Sequence, residues 1–99
     1  MVEVVWSKQA IRHRNQLFNY WNQRNASTAY SRKLRLLINI SVSLIRHFPK
    51  IGKPTSKHNV RIKIVRHYYL IYQISETQIR ILDFWDSRQN PVQIEHILG

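Results

Sequence analysis

The chain has 99 residues, enough for one domain with a buried core but not for two. Sixteen Lys and Arg stand against five Asp and Glu, a net charge of +11, which calls for an acidic partner: nucleic acid, an anionic protein or a membrane surface. Cysteine is absent, which excludes a disulfide framework and any thiolate metal site.

The charge is unevenly placed. Between Glu3 and Glu76 there is no carboxylate, while fourteen Lys and Arg lie there, so this span can form almost no internal ion pair. The longest uncharged apolar run, 36–45, is ten residues broken by Asn and Ser, whereas a bilayer crossing needs about 20, so no membrane span is expected. The N-terminal residues do not resemble a secretion signal, and with no cysteine to protect the expected location is the cytoplasm. His13, His47, His58, His67 and His96 show no paired metal spacing, so neither a metal nor another cofactor is expected.

In chain order, 2–6 (VEVVW) reads as a first strand, with Ser7 as N-cap of a helix running to about Asn25. Ala10, Ile11, Leu17, Phe18 and Trp21 fall near one face of that helix, with Arg12 and Asn15 opposite. After a break at 25–27, with Ser27 as cap, a second helix runs to about Phe48, where Pro49 stops it. Tyr30, Leu34, Leu37, Ile38, Leu44, Ile45 and Phe48 form its apolar stripe, and Arg32, Lys33, Arg35 and Arg46 face outward. The segment 49–59, with two prolines, a glycine and three lysines, reads as the one long loop. Val60, Ile62 and Ile64 alternate with Arg61 and Lys63, a strand with one oily and one cationic face. Residues 67–74 and 78–85, joined by Ser75, Glu76 and Thr77, read as an antiparallel hairpin, and a short helix or turn follows Pro91. The expected fold is a single α+β domain over 1–99, of order β-α-α-β-β-β. Its helix hairpin covers one face of a four-stranded, mainly antiparallel sheet, and the first strand pairs with one of the last three.

This order, with Asn59-Val60-Arg61 opening strand two, Tyr68-Tyr69-Leu70-Ile71-Tyr72 in strand three, and Ile81-Leu82 leading to Arg88-Gln89-Asn90-Pro91, resembles the RelE/ParE superfamily of bacterial type II toxin–antitoxin toxins. The resemblance implies a RelE/ParE-like fold and a cognate acidic antitoxin. It also implies one of two activities: cleavage of mRNA in the ribosomal A site, or poisoning of DNA gyrase without nuclease chemistry. Aligned with the messenger-cutting branch, Arg61 and Lys63 stand where that branch has two lysines and Arg88 matches its arginine after strand four. Tyr69 stands where that branch has an arginine.

Metal-free RNA cleavage uses the 2′-OH as nucleophile, so the protein must supply a base, an acid and cations for the phosphate. Arg61, Lys63 and Arg88 would be the phosphate stabilisers. Proton transfer would fall to Tyr69, His67 or His58. Lys53, Lys57 and His58 in the loop, Arg66 and His67 between strands, and Trp85 or Tyr69 as stacking faces would hold nucleic acid. Asp83 and Asp86 are expected to hold a nearby cation or cap a turn. The reading put first is a toxin that cleaves mRNA on the ribosome, and the alternative is a gyrase poison. A helix-turn-helix regulator is disfavoured because the second helix is too apolar to lie in a groove, and a membrane-surface helix because its apolar face is needed for the core.

Overall fold

Ser7 is where the chain turns from strand to helix, and its hydroxyl makes two hydrogen bonds at that corner. It accepts from Ala10 N at 3.0 Å, capping the helix, and donates to Leu82 O at 2.9 Å, tying that cap to the last strand. The computed structural model describes residues 2–88. In order they form β1 (Glu3–Trp6), α1 (Lys8–Asn25), α2 (Ala29–His47), a short 3-10 turn (Pro49–Ile51), β2 (Lys53–Pro54), β3 (Val60–Val65), β4 (Tyr68–Ile74) and β5 (Gln78–Asp86). The C-terminal helix or turn expected after Pro91 lies outside the described residues.

The sheet order is β1-β5-β4-β3-β2. β1 runs parallel to β5 with Glu3 opposite Gln78 and Trp6 opposite Ile81, while the other pairs are antiparallel. Five strands thus replace the four expected. The extra one is the two-residue β2 inside the segment read as a loop, where Pro54 pairs with Arg61. Proline is tolerated there because β2 is an edge, so its missing N–H costs no ladder bond on an inner side. The α2 start also differs: Thr28 stands at the N-cap without a side-chain bond, and Ser27 Oγ accepts from Ala29 N instead.

Directly opposed residues share a face of the sheet. The face under the helices carries Val65, Tyr68, Leu70, Tyr72, Ile79, Ile81 and Phe84, packed against Ala10, Phe18, Leu34, Ile38 and Ile45 from α1 and α2. Arg61 opposes Tyr72 and Lys63 opposes Leu70, so both belong to that same face. This corrects the expected polarity of the strand: Val60, Ile62 and Ile64 point to the other side, and Ile64 is 57% exposed. Alternation sets the period but not which phase packs, and a slip of one residue exchanges the two. The α2 stripe is likewise only partly core. Leu34, Ile38 and Ile45 are fully buried with Ser31 and Ser41, whereas Leu44 and Phe48 open to solvent beside Leu36 and Ile40.

Between Ile71 and Tyr72 the β4–β5 register shifts. Ile71 opposes Asp83 and Tyr72 opposes Ile81, so Leu82 is an extra residue. The bulge lies where β1 leaves the edge of β5 and α1 begins, and it brings Asp83 beside the first two turns of α1.

Candidate functional site: two separate cationic clefts

The first cleft lies at the β2–β3 end. Arg61 donates to Lys50 O at 3.1 Å and to Gly52 O at 2.7 Å. Beside it the buried Tyr72 hydroxyl donates to Pro49 O at 2.6 Å and accepts from Gly52 N at 2.9 Å. Burial raises the Tyr72 phenol above its ordinary value, against the Gly52 hydrogen bond and the Arg61 charge, which pull it down. A Cβ on Gly52 would come within 2.5 Å of the Tyr72 hydroxyl, so only glycine fits. Arg61 is therefore spent on holding the chain between α2 and β2. The shallow space around it, about 460 Å³, is rimmed by Lys50, Lys57 and His58. Thr55 shapes this rim: its hydroxyl donates to Val60 O at 2.8 Å and accepts from Lys57 N at 3.2 Å, with Asn59 left-handed at φ 59.

The second cleft, about 990 Å³, lies between α1 and the C-terminal half of β5, lined among others by Arg12, Arg24, Arg88, Tyr20 and Trp85. Its floor is Asp83, 1% exposed. That carboxylate accepts from Gln9 Nε2 at 2.7 Å, His13 Nδ1 at 2.6 Å and Phe84 N at 2.8 Å, so a charge that would be costly to bury is fully hydrogen-bonded. Asp83 fixes the imidazole by one nitrogen, and the His13 ring meets Trp85 edge-on at 5.8 Å. At the mouth, Arg88 Nε and Nη2 each reach an Asp86 oxygen at 3.1 Å, and Arg88 N donates to Asp86 Oδ1 at 2.9 Å. Burial alone would raise the Asp86 carboxyl, but these Arg88 bonds outweigh it and hold the group below its usual range.

The predicted residues are thus divided. Arg61, Lys57 and His58 gather at one cleft and Arg88 and Trp85 at the other. Arg61 opposes Tyr72, whereas Arg88 follows Asp86, which opposes Tyr68; the rungs of Arg61 and Asp86 are four strand positions, about 13 Å, apart along the sheet. Lys63 lies between them, half-buried, its Nζ 3.4 Å from Ile64 O. Tyr69 opposes Trp85 and Ile64 on the sheet face away from Arg61 and Lys63. Lys53 is exposed on β2, and Arg66 and His67 form the exposed turn between β3 and β4, Arg66 with φ 56. Asp86 does hold a cation and cap a turn, as expected. The Asp83 hub was not foreseen, although Gln9 and His13, four apart on one helix face, were its visible half. Among the described residues no group of His, Asp and Glu could hold a metal ion, and no helix is long and apolar enough to cross a membrane.

A helix hairpin lies on one face of a mixed sheet whose first strand runs parallel to the last. The chain belongs to the family described as ParE toxin of type II toxin–antitoxin system, parDE, which it matches over residues 4–91. It is a toxin of the type II toxin–antitoxin class. Among solved structures it is similar to a chromosomal ParDE toxin–antitoxin system from P. aeruginosa, with TM-score 0.73 and 14% identity over 87% of this chain and 96% of that one. It is also similar to the YoeB dimer from Staphylococcus aureus, with TM-score 0.60 and 14% identity over 85% of this chain and 94% of that one. No curated protein matches it by sequence.

Proposed function

We propose that this chain is a toxin that poisons DNA gyrase without nuclease chemistry, acts in the cytoplasm, and is neutralised by an acidic antitoxin. The observation that carries this reading is the division of the cations a phosphodiester would need. Arg61 is engaged by two backbone carbonyls and Arg88 by Asp86, at different ends of the sheet, with Tyr69 on the opposite face from Arg61 and Lys63. Ribosome-dependent mRNA cleavage requires base, acid and phosphate stabilisers within reach of one phosphate, so dispersal speaks against it. Membership of the ParE family supports the gyrase target.

The test pairs a supercoiling assay on the purified chain with primer extension in cells that express it. Loss of gyrase supercoiling activity, with no new transcript ends in primer extension after induction, is the expected result. Intact supercoiling together with cleaved transcripts would instead establish the mRNA-cutting reading, with Arg61, Lys63, Arg88 and Tyr69 as its residues to mutate first.

A further inference from the structure

Arg14 of α1 and Arg35 of α2 both approach the Phe18 ring, away from both clefts. The Arg35 guanidinium carbon stands 4.6 Å from the Phe18 centroid; that of Arg14 stands 6.0 Å from Phe18 and 4.6 Å from the Trp6 ring. Among the described residues Arg14 Nε is buried with no hydrogen-bond partner, and Nη2 reaches Asn15 Oδ1 at a long 3.5 Å. Burial, and then the adjacent Arg35, push the Arg14 guanidinium below its ordinary value. Among the described residues no carboxylate pairs with either arginine. Aromatic faces attract guanidinium groups but accept no N–H in the plane of the fork, so among the described residues the donors of both side chains face no anion.

We propose that Arg14 and Arg35 form a two-guanidinium socket for one carboxylate of the acidic antitoxin, a partner segment that also lays an apolar side chain on Ile11. The inference rests on the toxin–antitoxin reading above. Two planar forks facing one anion suit a carboxylate, which both can engage by paired N–H bonds. Ile11, 37% exposed, stands one turn before Arg14 on the same helix face. A half-desolvated cation beside an exposed aliphatic group suits a protein interface, with apolar anchor and charged neighbour, better than a hydrated phosphate chain.

The experiment titrates the purified chain calorimetrically with its cognate antitoxin. Arg35→Gln and Arg14→Gln should each weaken that binding on the order of 10- to 100-fold. Because both serve one anion, the double variant should lose less than the product of the two. The free chain should meanwhile keep or raise its Tm, since a like-charge contact has been relieved. Unchanged affinity with a lowered Tm in Arg35→Gln, the safer exposed variant, would overturn the inference in favour of internal packing. Weakened binding of a labelled single-stranded thymidine oligonucleotide with antitoxin affinity intact would overturn it in favour of nucleic acid. A drop in Tm matched by Glu95→Gln would assign the socket to the chain's own carboxylate and overturn it too. If Arg35→Gln loses antitoxin affinity while neither it nor the parent chain affects supercoiling, the inference stands and only the gyrase reading falls.

Discussion

Arg61 and Tyr72 between them bind three backbone carbonyls and one amide of the segment after α2, so the side chain that sequence alternation put on a cationic face is a clamp. Arg61→Met removes two charge-assisted bonds and should cost about 2 kcal/mol in a denaturant titration. Lys63→Met, next on the same strand face but with a single 3.4 Å contact, should cost under about 0.5 kcal/mol. The contrast matters for toxicity screens, because loss of activity in an Arg61 variant reports on folding unless its stability is matched. Tyr68 offers a pH handle. Burial pushes its phenol up to about 12 from the ordinary 10.0, against the hydrogen bond it accepts from Trp21 Nε1 at 2.9 Å. The folded-state value lies above the unfolded one, so the stability Tyr68 lends is complete below about pH 10 and is lost as pH rises through about 12. Tyr68→Phe should flatten that alkaline loss in a Tm-versus-pH series, while giving up about 1 kcal/mol at neutral pH with the Trp21 bond.

The helix hairpin turns on Ala26, left-handed at φ 48 and ψ 38, whose N–H bonds back to the last turn of α1. Glycine reaches that conformation without the Cβ penalty, so Ala26→Gly should raise stability by about 0.5–1 kcal/mol in thermal unfolding. Sequence reasoning located this break at 25–27, together with both helices and the β4–β5 hairpin, because caps, a helical apolar period and a short polar turn are local signals. The choice of which phase of β3 packs was not local. Val60-Arg61-Ile62-Lys63-Ile64 carries the same alternation in either orientation, and it is Tyr72 and Leu70 on the neighbouring strand that select Arg61 and Lys63 for the helix side. β2 was invisible because Lys53-Pro54 has no strand propensity of its own and exists only through its pairing with Arg61 and Ile62. The Asp83 hub depends on the Leu82 bulge and on α1 passing the edge that β1 vacates, a meeting of residues 70 or more positions apart.

At the scale of the whole molecule, a net charge of +11 is carried by a body of 42 × 32 × 21 Å. Of its carboxylates, Asp83 and Asp86 are already engaged inside the fold. Attraction for an acidic partner is thus mostly unspent on the surface. Affinity for the antitoxin should fall on the order of 10-fold as ionic strength rises from about 0.1 M to about 1 M, where the Debye length shrinks from about 10 Å to about 3 Å. A calorimetric titration in two salt concentrations measures it, and the exposed Leu36, Ile40, Leu44 and Phe48 set a salt-independent floor if they too are covered. The place of β5 between β1 and β4 carries a different consequence. Leu82 O takes the hydroxyl of Ser7, 75 positions earlier, and β5 is the strand that β1 pairs with among the described residues. During synthesis the positive helices therefore leave the ribosome long before the strand that closes them into a body. A nascent chain halted short of Gln78 already holds fourteen of the sixteen Lys and Arg but lacks the strand that joins β1 to β4.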